Sequence, residues 1–352
     1  MERTHRIRDI RGLSADDLRE LVGELGQPAF RSKQLYEWIH EKNVCSFDEM
    51  TNLPRGLREQ LAERFSFNVP EELVKQVSRD GSRKYLLQFS DGVSVETVGM
   101  PTRHKLAVCI STQAGCAMGC AFCATGLAGL TRSLTAQEMV DQVLHVARDF
   151  GERVTSVVFM GQGEPFANFD ATVEALHMLN APDGLEIGAR HLTVSTCGVI
   201  PSIRRFADLP EQFTLAVSLH SAVQATRNKL MPGVKKYTLP RLHEALQLYV
   251  EKTGRRPTYE FAMIEGINDT NPEMQALIDF CAGTMCHVNL IQLNNIPDSP
   301  LKPSPIEKVE ALQRRLTLNG VETTIRNSRG SDIDAACGQL KQRRFNPANR
   351  KL

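Results

Sequence analysis

LAVCISTQAGCAMGCAFCATG, residues 106–126, decides the fold. Its first six residues form an apolar, β-prone run. The pattern then breaks, and three cysteines follow, Cys116, Cys120 and Cys123, spaced C-x3-C-x2-C. A strand that runs into a cysteine-bearing loop, with a helical pattern after it, opens a β/α series. Six further strand candidates lie downstream, at 154–160, 191–196, 213–219, 258–264, 288–293 and 321–326. Helical patterns separate them. TAQEMVDQVLHVARDF opens with a capping box, Thr135 to Glu138; SPIEKVEALQRRLTLNG has Ser304 as cap, Pro305 in the first turn and Gly320 as the stop. The expected class is α/β, with a parallel sheet open or rolled into a partial (β/α) barrel and the chemistry at its strand C-termini.

Upstream the periodicity is helical. Residues 14–26, 31–43 and 54–65 each carry apolar positions at helical spacing, and 84–98 reads as a β-hairpin turning at Asp91-Gly92. The expected organisation is a helical accessory unit over 1–75, a hairpin connector over 76–105, a barrel over 106–340 and a basic tail over 341–352. An apolar fraction of 41% and a charged fraction of 24% are ordinary for a soluble protein. No apolar run approaches the ~20 residues of a membrane span, and the N-terminus lacks a signal-peptide core, so a cytoplasmic protein with no membrane association is expected. In a reducing compartment an odd count of nine cysteines favours ligands or catalysts over a disulfide framework. The net charge of +1 does not advertise a nucleic-acid binder. Short basic groups, such as Arg103-His104-Lys105 and Lys235-Lys236, read individually as solvated surface but leave phosphate binding open.

A structural zinc site prefers four ligands, commonly two C-x2-C pairs, and no second pair stands near this loop. Three close thiolates suit a 4Fe-4S cluster in which one iron lacks a protein ligand, a corner open to S-adenosylmethionine. With Phe122 before the last thiol, the loop resembles the C-x3-C-x-aromatic-C form of the radical S-adenosylmethionine enzymes. MGQGEP (160–165) follows the second strand, where Gly163 and Glu164 could meet the amino end of that cofactor; GQGEP alone reads as a turn. Ser195, Ser218, His220 and Asn294 fall at strand ends, and polar groups recurring on one rim imply a pocket. Cys45, Cys197, Cys281 and Cys286 read as packed core thiols, as would Cys337 taken alone.

VETVGMP, the cysteine loop, MGQGEP, VSTCGVIP, SLH (Ser218, Leu219, His220) and RGSDIDAACGQL occur in the order found in the RlmN/Cfr family. The chain resembles that family from about residue 8 to 340, RlmN most closely. The resemblance implies a radical S-adenosylmethionine methyltransferase acting on carbon 2 of an adenosine in the peptidyl-transferase centre of 23S rRNA, with tRNA as a further substrate and an electron donor such as flavodoxin. It also implies roles. Cys337 is methylated by one S-adenosylmethionine and carries the carbon to the base after radical activation by a second. Glu96 accepts a proton, Cys109 resolves the RNA–protein link as a disulfide with Cys337, and Gly163, Glu164, Ser195, Ser218, Leu219, His220 and Asn294 bind the cofactor. Without the resemblance Glu96 is a solvent-facing strand residue. Gln162 and Cys197 depart from the common GMGEP and STSG of relatives. Two rivals are a Cfr-like carbon-8 methyltransferase that confers antibiotic resistance and a non-catalytic iron–sulfur RNA-binding redox sensor.

Overall fold

The computed structural model describes residues 8–340 apart from 43, 183, 295–298 and 327; the basic tail expected at 341–352 lies outside the described residues. At the N-terminal end, β1 (Arg8–Asp9), α1 (Ala15–Glu24), α2 (Phe30–Tyr36), α3 (Arg55–Arg64) and β2 (Phe65–Ser66) enclose a core of their own around Ile10, Leu18, Leu35, Ile39, Met50 and Leu61. Helix α1 begins where the Ser14 hydroxyl accepts from the Asp17 amide at 3.1 Å and the Asp17 carboxylate accepts from the Ser14 amide at 2.9 Å. Past Tyr36 the expected second helix widens into a π turn, Glu37–Glu41.

A ten-stranded sheet forms the rest of the frame. Strands β3 (Glu71–Val77), β4 (Arg83–Gln88), β5 (Ser94–Thr102) and β6 (Lys105–Cys109) run antiparallel, each to the next. The expected hairpin is β4–β5, turning at Asp91-Gly92; β3 and β6 flank it, so it extends the main sheet. After β6 come the short pair β7 (Gln113–Gly115) and β8 (Leu130–Ser133), with α4 (Ala124–Ala128) between them. The β/α series continues with α5 (Ala136–Phe150), β9 (Val154–Phe159), α6 (Phe169–Asn180), β10 (Leu192–Thr196), α7 (Ile200–Phe206), β11 (Thr214–Ser218), α8 (Gln224–Leu230), α9 (Leu239–Thr253), β12 (Thr258–Met263), α10 (Asn271–Cys281), β13 (His287–Gln292), α11 (Ile306–Leu318) and β14 (Glu322–Arg326). From β6 through β14 every neighbouring pair is parallel. All seven strand candidates read from the sequence are present.

The sheet stays open, because β14 stands at one edge and β3 at the other. Apolar residues of β6 and β9–β13, with the inner faces of α5, α6, α7, α9, α10 and α11, build the main core. Helix α5 starts at the predicted capping box, with the Thr135 hydroxyl accepting from the Glu138 amide at 3.2 Å. Helix α11 departs from its predicted start. Pro305 is the N-cap and no side chain caps it, because the Ser304 hydroxyl bonds to the Asp269 carboxylate at 3.0 Å. Among the described residues no helix is long and apolar enough to cross a membrane.

Candidate active site

The cysteine loop leaves β6 at the C-terminal rim of the parallel strands and is pinned before it bears a ligand. At Gly115 the backbone takes φ +81, and a Cβ there would lie 2.0 Å from the Gly129 carbonyl oxygen, so the β7–β8 crossing admits only glycine. Further along, the Ala121 amide donates to the Leu230 carbonyl at 2.9 Å and the Cys123 amide to Cys120 at 3.1 Å. Cys116, Cys120 and Cys123 all line one cavity. Among the described residues no three His, Cys, Asp or Glu side chains are grouped as a single metal ion requires. Burial pushes the Cys116 thiol up to about 12 and raises Cys123, so their thiolates need a cationic partner. Three such donors around an open cavity fit a polynuclear cluster better than a lone zinc ion.

The rim residues converge on the same cavity: Gly163, Glu164, Ser195, Ser218, His220 and Asn294 line it. Gly163 has φ +104, and a Cβ there would meet Gln113 at 2.7 Å, which is why the turn needs glycine. Glu164 is buried, which raises its pKa; its two oxygens accept from the amides of Phe166 at 3.0 Å and Cys197 at 2.7 Å. His220 Nδ1 accepts from the Ala262 amide at 2.9 Å, so the ring proton sits on Nε2, and burial lowers its pKa to about 3. Its ring lies edge-on to Phe122 at 4.4 Å. Leu219 differs. Its side chain is fully buried in the main core and does not line the cavity, because β11 turns alternate side chains to opposite faces.

Sequence reasoning passed over two side chains here. Cys197, read as a packed core thiol, lines the cavity with its Sγ 4.0 Å from that of Cys120. Arg326, the last residue of β14, lies 3.6 Å from Glu260 and 3.5 Å from the Met160 sulfur. Both sit at or just past the C-terminal end of a strand, the position that picked out Ser195 and Ser218.

Cys337 arrives from the opposite direction, on the segment after β14. Its carbonyl accepts from Asn294 Nδ2 at 3.0 Å, the Gly338 carbonyl from the Ala124 amide at 2.8 Å, and the Leu340 carbonyl from the Thr125 hydroxyl at 2.6 Å. The cluster loop thus holds the Cys337 segment directly. Cys337 is exposed and lines two cavities, the one shared with the cluster thiols and a second lined by Cys109. Arg326 also lines both, and the charge of Cys337 does most to raise its pKa. Burial pushes Cys109 up to about 12, Cys337 adds to this and Arg326 opposes it.

Glu96 is 7% exposed, which overturns the solvent-facing alternative. The hairpin turns it inward beside Lys84 at 3.2 Å, and Lys84 also donates to the Asp334 carbonyl at 3.1 Å. It lines neither cavity.

Comparison with known proteins accounts for both halves of the chain. Residues 8–66 match the profile of the ribosomal RNA large subunit methyltransferase N-terminal domain, and 110–281 that of the radical SAM superfamily, whose chemistry uses a 4Fe-4S cluster and S-adenosylmethionine. A relative from Geobacillus kaustophilus, described as "Probable dual-specificity RNA methyltransferase RlmN", is 47% identical over 94% of this chain and 92% of its own. One of the same description from Alkaliphilus oremlandii is 45% identical over 95% of this chain and 98% of its own. The crystal structure of a radical SAM methyltransferase from Sphaerobacter thermophilus superposes with a TM-score of 0.91 at 40% identity, covering 95% of this chain and 99% of that one. With its cluster loop, rim and accessory unit so matched, the chain belongs to the RlmN family of radical S-adenosylmethionine methyltransferases.

Proposed function

We propose that the protein methylates carbon 2 of an adenosine in 23S rRNA, with Cys337 carrying the transferred carbon and tRNA as a second substrate. One observation carries the reading: Cys337 lines both the cavity of the cluster thiols and the cavity of Cys109. A metal ligand has no use for the second neighbour, and a resolving thiol has no use for the first. Only a sulfur that is loaded on one side and released on the other needs both.

Cys116, Cys120 and Cys123 would hold the cluster, with S-adenosylmethionine against Gly163, Glu164 and the strand-end residues. Bound there, the pair supplies a methyl group and a 5′-deoxyadenosyl radical. The chain's own residues do the rest. Cys337 is the nucleophile that accepts the methyl group, a task suited to sulfur because adenine carbon 2 is electron-poor and resists direct polar methylation. One hydrogen atom leaves the Cys337-bound methyl group to that radical, the carbon joins the extruded base, and the base gives up a proton together with an electron that the cluster would take back. The proton lost from the base is assigned to Glu96, which must receive it through an intervening donor because it lines neither cavity, and the Lys84 bridge to Asp334 ties its strand to the Cys337 segment. Cys109 then attacks the Cys337 sulfur; the sulfur–carbon bond breaks, the electron pair stays on the departing carbon, which takes up a proton to become the methyl group, and a Cys109–Cys337 disulfide remains. Arg326 offsets the burial that disfavours the Cys109 thiolate. Neutral His220 and the engaged Glu164 shape the cofactor wall without exchanging protons.

The test is anaerobic reconstitution followed by turnover on unmodified 23S rRNA with methyl-labelled S-adenosylmethionine. The expected products are labelled 2-methyladenosine and labelled S-methyl-Cys337. Appearance of 8-methyladenosine without the 2-methyl isomer assigns the Cfr-like chemistry instead, and a loaded enzyme never labelled at Cys337 assigns the redox sensor.

A further inference from the structure

The second cavity is used by the steps above only at its inner end, where Cys109 meets Cys337. It holds about 230 Å³ and runs beside β5 and β6 away from the cluster. Cys109 lies at its inner end. Below come Ala107 and its register partner Met100, and then Thr102 at the β5–β6 turn. Four residues along a strand, from the Thr102–Lys105 pair to Cys109, span about 13 Å. The outer lining residues Thr102, Ser328 and Arg329 are exposed, and the inner ones, Val158, Met160 and Ile291, are apolar. Among the described residues no carboxylate lines it, whereas Arg326 and Arg329 do, and the exposed Arg103, His104 and Lys105 follow Thr102 in the chain. This end of the cavity lies toward the N-terminal end of β6, where Thr102 pairs with Lys105.

We propose that this cavity is the entry site for a small anionic thiol that reduces the Cys109–Cys337 disulfide; the proposal rests on the disulfide assigned under the function above. The thiolate attacks Cys109 Sγ from the side away from Cys337. The sulfur–sulfur bond breaks, Cys337 leaves as thiolate beside the Arg326 guanidinium, and the reductant is held as a mixed disulfide on Cys109. A second thiolate attacks the reductant's sulfur in that mixed disulfide, releasing the symmetrical disulfide and the Cys109 thiolate, which takes up a proton. Two electrons reach the protein, one from each thiol. Attack at Cys109 follows from the packing, because among the cavities formed by the described residues Cys109 lines this one and not the cluster cavity, while Cys337 lines both. Departure from Cys337 frees the methyl-accepting sulfur first. A protein dithiol would have to attack from the exposed Cys337 side instead, which is the outcome that the thioredoxin-type protein tests.

Holoenzyme stopped after one turnover without reductant is treated with 2-mercaptoethanesulfonate or with cysteamine, and disulfide loss is read by alkylation and peptide mass. Rates are scaled to those on a small model disulfide. The expected result is a scaled rate higher for the sulfonate, a mixed disulfide trapped on Cys109, and a thioredoxin-type protein slower than either. R329Q lowers the sulfonate's advantage by about fivefold, the worth of one exposed charge. T102W, at the mouth, slows both small thiols several-fold and cuts multiple-turnover methylation while leaving the first turnover intact. A mixed disulfide on Cys337, or scaled rates blind to charge and to T102W, overturns the proposal. So does a first turnover lost in T102W, which assigns the cavity to the substrate base. Should turnover leave no disulfide, the methyl-carrier reading fails by itself. The cavity is then judged on holoenzyme oxidised with diamide, where absence of the Cys109–Cys337 bond overturns this proposal too.

Discussion

Single side chains decide whether this site can work, and they differ in how visible they are from sequence. The cluster cysteines announce themselves by spacing. Cys109 does not, because nothing in LAVCIS distinguishes a resolving thiol from a packed one until Cys337 is seen beside it in the second cavity. Cys109→Ala is expected to leave methyl loading of Cys337 intact and to trap the covalent RNA adduct, visible as a protein band that carries RNA; turnover without adduct removes the resolving role. Gly115→Ala tests the loop differently. Its Cβ would fall 2.0 Å from a backbone oxygen that cannot swing aside, at a φ of +81 that side chains disfavour. The loop must open, and iron bound per chain after reconstitution is expected to fall well below wild type while the far-ultraviolet circular dichroism stays close to it. Cys197 and Arg326 went unread because the partners that define them, Cys120 and the Cys109–Cys337 pair, are distant in sequence and meet only when the strand ends gather.

Among the elements, the parallel strands were legible because each is an apolar run of the right length bounded by turn residues. The first helix and α5 were legible because their capping boxes are local. Ser304 misled for the complementary reason: a capping signature is local, but its hydroxyl was claimed by Asp269 from another loop. The β3–β4 turn shows what no local pattern could reveal. Asp80 accepts from the Ser82 amide at 2.8 Å and the Gly330 amide at 3.0 Å, while Asp332 accepts from the Ser78 hydroxyl at 2.5 Å. This turn therefore clasps the segment that bears Cys337. Burial works against the Asp80 carboxylate, but the Ser82 and Gly330 amides outweigh it and lower the pKa to about 2 from an ordinary 3.8. A carboxyl lowered in the folded state contributes stability above its unfolded pKa and loses it as pH falls through the folded one. The Tm gap between wild type and Asp80→Asn is thus expected to be constant above about pH 5 and to close between about pH 4 and pH 2. A gap that widens on acidification refutes the clasp.

At the scale of the whole molecule, the described residues form one core in the accessory helices, one in the open sheet and a smaller cluster around Cys120, Leu230 and Ile264, and a buried ionic contact joins the first two. Arg11, 3% exposed, reaches from the accessory unit to Asp141 on α5, while Asp9 at 2.6 Å and Gln137 at 2.9 Å complete the bonding of the pair. Such a pair adds little net stability over apolar residues of the same shape, yet removing one partner strands a buried charge at a cost of about 3–5 kcal/mol. The pair ties the accessory unit to α5. Two reactions then separate. On the proposed function, methyl loading of Cys337 would need only the sheet and its cofactors, whereas methylation of rRNA would also need the accessory unit held in register with the pocket. Arg11→Ala is expected to retain labelled S-methyl-Cys337 and to lose most rRNA methylation, with the accessory unit melting separately from the sheet in calorimetry. The double replacement Arg11→Met with Asp141→Leu removes both charges, so cooperative melting is expected to return. RNA methylation that recovers along with it makes the contact a matter of placement alone; recovery of melting without methylation means that Arg11 or Asp141 meets the RNA-bound state directly.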